Sequence, residues 1–525
     1  MSPATGTVKP TMQPPESGVA VRMYNTGFGD CFLLAFRAEK TDRTGDISEI
    51  QPVYMLIDCG VHHQYPGAEK RMKQVAEDIG NATGYHLHVV AITHEHTDHT
   101  YGFRYAKDIF DKFTIDSLWL SWAENPNDSV AAKLKDYYGM NIRALAGAIT
   151  ILRSRDDSLA DTLENVLSFE TEYALGASAC ESQLDYIRSR SIRKPECDDD
   201  YCCPGDPPRI LPDVKGINIY VLGPPRNQEW IRMLEKQSEL YPEFSMKDRD
   251  AALVDGILEI SDSTSQDDEG PAQKKHYRPF NDSYGISLSV LKGESDSEKG
   301  RKPDDSEIAK LDVEFLRKFF KERYGYRKSG HAPEWRRIDS NWLAAAEQLA
   351  IKINSKINNT SLVLAIELAD SRPEKVLLFT GDAQVGNWLS WQDLSWTTGE
   401  DEGVLSASDL LKHTVLYKVG HHGSRNATLN QKGLEMMLCP DLVAMLPVDE
   451  HWANAEKHWE HPAAKLLERL MKKTCKRIIR TDRIPNKIKP RRPEGIDKKD
   501  WDVLSKNIEW DRSGNKLWVQ YNVTV

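Results

Sequence analysis

The stretch "AITHEHTDHTYGF", residues 91–103, continues the apolar run "HLHVVAIT" (86–93). His94, Glu95, His96, Asp98 and His99 crowd into a single six-residue span. The apolar run reads as a buried strand, and it delivers the chain directly into this cluster. Side chains alternate along an extended segment, so His94 and His96, two positions apart, point the same way. Asp98 and His99 are adjacent, so a turn must split them from the first pair. The pattern suits two neighbouring metal ions, His94 and His96 holding one, Asp98 and His99 the other. Imidazole nitrogen and carboxylate oxygen suit zinc, and also manganese or iron. The plain alternative is a hydrogen-bonded polar turn, and four ligand-type residues after a strand weigh against it.

Two ions need more ligands than this loop holds, and later predicted elements end in suitable ones. "KVLLFTGDA" (375–383) puts Asp382 after an apolar strand and a glycine, where its two oxygens can bridge both ions. "TVLYKVGHHGS" (414–424) ends in His421, His422, Gly423 and Ser424, a loop suited to gripping a phosphate. "EHPAAKLLERL" (460–470) puts His461 at a helix start, with Pro462 at the first helical position.

The remaining chain alternates strands and helices. "VAVRMYNTGFGDCFLLAF" (19–36) predicts two strands about a Gly-rich turn, and "VYMLIDCG" (53–60) a buried strand feeding a loop. Residues 67–81 predict a helix with Met72, Val75, Ala76 and Ile79 on one face. Further strands are expected at 115–122, 217–225, 360–368, 441–447, 477–483 and 515–523, with helices over parts of 128–192 and over 462–473. This alternation implies α/β layering. The expected organisation is a disordered tail (1–18), a first half (19–225) with a helical elaboration at about 128–205, a charge-rich insertion (226–354), and a second half (355–525) with a basic C-terminal segment.

The 525 residues are 40% hydrophobic and 28% charged, with a formal net charge of -11. No apolar run approaches the ~18 residues of a transmembrane helix, so no membrane partner is expected. The opening "MSPATGTVKPTMQPPESG" lacks the apolar core of a secretory signal. Eight cysteines are too sparse for a disulfide framework, which makes a cytoplasmic location the expectation. Cys197, Cys202 and Cys203 match no zinc spacing and read as loop thiols. The acidic balance argues against nucleic-acid binding by the whole surface. A local exception is Lys465 to Asp497, with 12 Lys/Arg against 4 Asp/Glu: either a solvated helix face and tail or a track for a phosphate backbone. His62 and His63 read as surface residues rather than as the rim of the site. Trp388, Trp391 and Trp396 fit a helix core better than a base-stacking platform.

Taken together, these pieces resemble the metallo-β-lactamase superfamily of binuclear hydrolases, whose first signature is His-x-His-x-Asp-His. The closer likeness is to the soluble hydrolase domain of the DNA-uptake protein ComEC and its relatives. It is carried by "NTGFGDCFLLAF", "NNTSLVLAIEL", "VLLFTGDA" with "VGHHGS", and "HPAAKLLERL" leading to "RIIRTDR", in family order over roughly 19–125 and 355–485. The resemblance implies an α/β fold, an αββα metallo-β-lactamase sandwich with metals at one edge between two sheets, here with a large helical insertion. It implies two divalent ions, zinc or manganese. Asp58 falls where the family keeps an acid that orients the metal loop, Asp382 matches the bridging acid, and His461 matches the last histidine, on the second ion with Asp98 and His99. The superfamily often has one more histidine on the first ion, and "INNTSLVL" carries Asn358 and Asn359 instead. His421 can fill that place while His422 meets the scissile phosphate or protonates the leaving group, or the two can exchange roles.

The expected function is a binuclear metal-dependent nuclease or phosphodiesterase acting on DNA or RNA. Two cations about 3.5–4 Å apart acidify a water held between them. Asp98 or Asp382 would orient that nucleophile, and His422 would serve the leaving oxygen. The alternatives are a hydrolase of small phosphodiesters or esters, and a partner-binding protein with a vestigial metal site. The insertion at 226–354 offers a surface for a protein partner.

Overall fold

The computed structural model describes residues 9–41, 47–153, 182–196, 200–233, 313–324, 345–371, 374–398, 403–485 and 495–525, with Arg492 and a few residues between 160 and 169. The chain forms two compact units. One comprises Met1–Ile142, Asn165–Met246 and Ile351–Val525, the other Arg143–Glu164 and Lys247–Ala350. In the second unit the described residues include the helix Val313–Tyr324, on which Phe315 and Phe319 lie exposed. Most of the segment expected as an insertion lies outside the described residues.

The first unit is a mixed α/β structure. Its strands are β1 (Gly18–Tyr24), β2 (Cys31–Thr41), β3 (Ile47–Cys59), β4 (His86–Ala91), β5 (Thr114–Trp119), β6 (Ser191–Arg193), β7 (Ile217–Gly223), β8 (Val363–Leu368), β9 (Lys375–Phe379), β10 (Ser395–Thr398), β11 (Gly403–Ser406), β12 (Thr414–Lys418), β13 (Val443–Leu446), β14 (Ile478–Arg480), β15 (Ile508–Trp510) and β16 (Trp518–Thr524). Among the described residues, eight strands form one sheet in the order β15-β16-β1-β2-β3-β4-β5-β6, and six form another in the order β14-β13-β12-β9-β8-β7. The first sheet is antiparallel from β15 to β3 and parallel from β3 to β6. The second is parallel from β14 through β13 and β12 to β9, then antiparallel across β8 and β7. β10 and β11 pair separately.

One apolar cluster joins the sheets. Val21, Leu34, Met55 and Val89 from the first meet Leu364, Ile366, Leu377 and Met445 from the second. On the first sheet's side, the helix Ala68–Thr83 buries Met72, Val75, Ala76 and Ile79, the predicted stripe. Beyond the second sheet, Trp388, Leu410, Leu466 and Leu470 form a further cluster with Leu378 and Tyr417. Near-continuous apolar runs in β8, β9, β12 and β13 follow from this burial on both faces. Among the described residues no helix is long and apolar enough to cross a membrane.

Several expectations shift. Part of the expected tail is tied to the last turn of the helix Ala68–Thr83: Thr11 and Met12 donate backbone N–H groups to Asn81 and Ala82, and Met12 is buried. The helix expected from Pro462 starts at Ala464. Trp388, Trp391 and Trp396 are core residues, so base stacking is closed to them. Cys202 and Cys203 are free thiols between named elements, as expected, but Cys202 is buried and Cys203 half-buried; Cys197 lies outside the described residues.

Candidate metal centre

Parallel strands leave open ground beyond their carboxyl ends, where both sheets here direct their polar side chains. Asp58 stands at the end of β3, and the histidine loop follows β4. Asp382 follows β9, while Lys418, His421 and His422 lie at and after the end of β12. His96 precedes the helix Thr97–Tyr105, which carries Asp98 and His99 in its first turn. This is the turn that separates them from His94 and His96.

Close backbone packing fixes the loop. A Cβ on Gly60 would stand 2.1 Å from the Asp98 carbonyl carbon, so only glycine lets β3's exit pass under the histidine loop. Asp30 N–H donates to Asp98 O at 2.8 Å, and Gly60 N–H to Asp30 O at 2.9 Å. Asp58 accepts from Thr93 N–H and Thr93 Oγ–H, each at 2.8 Å, and its Oδ2 lies 2.8 Å from His99 Nδ1. That contact assigns the proton of His99 to Nδ1 and turns Nε2 inward.

The ligand-type atoms fall into groups whose members lie within 4.8 Å of one another: His94, His99 and Asp382 in one, Asp98, Asp382 and His422 in another. Asp382 belongs to both. This partition differs from the expected one, in which His99 sits with Asp98 and His461. His99 Nε2 is 3.2 Å from Asp382 Oδ2 and 3.7 Å from Asp98 Oδ2. His96 reaches the first group through its Nδ1, 2.9 Å from His94 Nε2.

The two histidines after β12 take distinct places. His422 is fully buried, its Nε2 3.0 Å from Asp98 Oδ2 and its Nδ1 2.8 Å from the Pro447 carbonyl. His421 lies nearer the surface, its Nε2 3.8 Å from Asp382 Oδ2, and its backbone N–H donates to Asp382 Oδ1 at 3.0 Å. The geometry therefore puts His422 among the ligand-type atoms and His421 at the edge. His461 joins neither group; its ring centroid lies 5.5 Å from that of His421. Gly423 has φ +82°, and an added Cβ would stand 2.7 Å from Pro462 Cβ. The positive φ and the approach of Pro462 both call for glycine at this position.

The donor set fits divalent cations. Among the described residues, Asp98 Oδ1, His99 Nε2 and Asp382 Oδ2 are buried and take part in no hydrogen bond, as ligand atoms would. Burial opposes charge on His99, yet Asp382, Asp98, Asp58 and Asp30 hold its pKa well above the usual imidazole value. Burial likewise opposes charge on His422, and its contact with Asp98 outweighs this and raises the pKa. Burial acts to raise Asp98 and Asp382, but His99 above all keeps both below the ordinary carboxylate range. Burial, with His99 and His96 nearby, drives His94 down. So four carboxylates in one dry volume demand positive charge, which favours the charged form of His99 and His422, while His94 is held neutral.

Sequence reasoning passed over several residues. Lys418 is buried and pairs with Asp30. It looked like one more polar residue in a strand, and its burial arises only once both sheets are in place. Asp30 sat in the quoted Gly-x-Gly-Asp turn without a role. Ser361 Oγ is 3.3 Å from His94 Nδ1 and accepts from Asp382 N–H at 3.2 Å. Asn359, at the departure from the family pattern, accepts from Gln384 and Asn387 N–H and braces the loop after Asp382. His62 is not a surface residue: it is buried, its Nε2 2.8 Å from Ser168 Oγ, its ring against Trp452 and Phe169. Phe169 also packs on Trp459 beside His421.

The basic segment is extensively paired. Lys472 bonds Glu468, Arg477 bonds Asp500, Arg480 bonds Glu450 and Asp482, and Arg469 and Lys473 meet Glu435. Residues 486–491 of it lie outside the described residues. A separate trio, His86, His88 and Asp116, also brings ligand-type atoms together. There, however, His88 Nδ1 accepts the Tyr54 N–H at 3.1 Å, so the lone pair of the neutral ring is already engaged.

No model of a known protein family and no curated protein matches the chain.

Proposed function

We propose that the first unit is an αββα sandwich of the metallo-β-lactamase kind and a metal-dependent phosphodiesterase, with nucleic acid as its substrate. The observation that carries this reading is the pair of buried His/Asp groups sharing Asp382. His94, His96, His99 and Asp382 would hold one divalent ion, zinc or manganese, and Asp98, His422 and Asp382 a second. Bound there, such ions supply Lewis acidity for phosphoryl oxygens and acidify water toward neutrality.

The chain's own residues do the rest. Asp58 and Thr93 fix the His99 ring, and Pro447 O fixes His422. Asp98, carrying a bare Oδ1, is placed to orient an attacking water. His421 at the edge is the imidazole placed to meet the substrate and its leaving oxygen. Phe169 packs beside it and against Trp459. A cleft of about 690 Å³ includes Arg425, Trp459, Pro462 and Lys465 in its wall, beside the residue His461, and Glu450 and Glu460 share that wall.

A second reading, hydrolysis of a small phosphodiester, draws support from the paired basic segment and from the burial of the ligand-type atoms. Purified protein with manganese or zinc, given single- and double-stranded DNA, RNA and bis(p-nitrophenyl) phosphate, tests both. Asp382→Asn is expected to lower turnover at least a thousandfold while the circular dichroism spectrum stays unchanged. Cleavage of the small ester alone favours the second reading. Full metal-dependent activity in Asp382→Asn overturns both.

A further inference from the structure

Asp382 is held asymmetrically. Its Oδ1 accepts the His421 N–H at 3.0 Å and lies 3.5 Å from Lys418 Nζ. Its Oδ2 takes part in no hydrogen bond and faces His99 Nε2 at 3.2 Å. Lys418 is itself pinned: Nζ donates to the Gly381 carbonyl at 2.7 Å and pairs with Asp30. Set between the two buried carboxylates Asp30 and Asp382, the amine is an ammonium. An ammonium has no lone pair, so it cannot be a ligand; here it is a fixed cation against the ligand carboxylate.

We propose that Lys418, locked by Asp30 and the Gly381 carbonyl, is a positioning residue that occupies Asp382 Oδ1 and leaves Oδ2 as the single oxygen shared between the two metal groups. A carboxylate free at both oxygens can swing between one ion and the other. One whose Oδ1 is held by an ammonium and a backbone N–H presents Oδ2 in one direction. Lys418 also offsets one of the carboxylates Asp30, Asp58, Asp98 and Asp382; on charge alone its removal would draw a cation in more strongly, so a weaker second ion in its absence reports the loss of positioning. Asp30 lies outside both Asp382 groups, in a third with Asp58 and His99, and its pairing with Lys418 connects it to Asp382. The inference rests on the metal-binding reading above.

The test compares wild type, Lys418→Met, Lys418→Arg and the double variant Asp30→Asn/Lys418→Met. The measurements are Mn(II) stoichiometry after equilibrium dialysis and the spin-coupled electron paramagnetic resonance signal of a manganese pair. Wild type is expected to bind two Mn(II) per chain with a coupled signal. K418M is expected to lose the coupled signal and to bind the second ion at least tenfold more weakly. K418R, which keeps the charge, is expected to restore much of both. Should K418M fail to fold, the double variant carries the test, since it removes the buried charges as a pair. A coupled signal and wild-type affinity in K418M or the double variant overturn the proposal for Lys418 while leaving the metal site standing. Absence of Mn(II) or Zn(II) binding by wild type overturns the metal reading and this proposal together.

Discussion

Asp58 shows how much one side chain does when both its oxygens are engaged. Oδ1 takes the Thr93 N–H, while Oδ2 takes the Thr93 hydroxyl and stands against His99 Nδ1. These contacts fix where the histidine loop leaves β4 and which nitrogen of His99 faces Asp382. Asp58→Asn keeps the shape but offers one acceptor oxygen and no charge. Oriented second-layer acceptors of this kind typically contribute 10–100-fold to metal affinity. Asp58→Asn is therefore expected to weaken Zn(II) binding by about that factor in competition with a chromophoric chelator, with a melting temperature close to wild type; unchanged affinity would remove Asp58 from the centre. At this scale the sequence was legible where ligand-type residues ended apolar runs, as with His94, Asp98 and Asp382. It was opaque where a residue's use depends on a neighbour hundreds of positions away. Lys418 and Asp30 meet only when β12 and the β1–β2 turn face each other across the sheets. Nothing in "VLYKVGHHGS" separates a buried lysine from an exposed one.

At the scale of elements, apolar runs located the strands of both sheets except the short edge strands β6 and β15, because strands buried on both faces read as continuous hydrophobic segments. Their polar exits were the informative part. Their ends were less legible: the helix after His461 starts two residues beyond Pro462, where Ala463 N–H bonds the Gly423 carbonyl instead. β4 also carries a testable pH dependence at its start, far along the strand from the histidine loop. Burial, with the neighbouring His86 ring, lowers His88 to about 4, and its Nδ1 accepts the Tyr54 N–H of β3. The folded state thus prefers neutral His88 relative to an unfolded value near 6.5. Its contribution is fully present above about pH 6.5 and is lost as pH falls toward 4. His88 is part-exposed, so about 1–3 kcal/mol is at stake. In urea titrations, His88→Gln is expected to lose less stability than wild type between pH 7 and pH 4, by about that amount. Parallel losses in the two proteins would show that the β3–β4 contact does not sense pH.

For the whole first unit, the decisive feature is that the centre belongs to neither sheet. Asp58, His94 and His99 come from the first, Asp382, Lys418 and His422 from the second, and the shared apolar cluster sets their separation. The first sheet is in turn completed by the chain's last strands: β16 lies between β1 and β15, with Val519, Tyr521 and Val523 buried and Arg22 bonded to Gln520. β1 leads into the turn that holds Asp30, so the sheet's far edge bears on Lys418 through one short connection. Deleting residues 508–525 exposes β1 and removes Trp510, Val519, Tyr521 and Val523 from the core. At roughly 1.5–3 kcal/mol for each buried side chain, the loss is about 6–12 kcal/mol. That matches the total stability of an ordinary domain, about 5–15 kcal/mol. The truncated chain is therefore expected to be insoluble or to lack a cooperative melting transition, and to bind Zn(II) without the wild-type affinity. If it stayed soluble, melted cooperatively and kept that affinity, β16 would be a dispensable edge, and the position of Asp30 would have to be set by β2 alone.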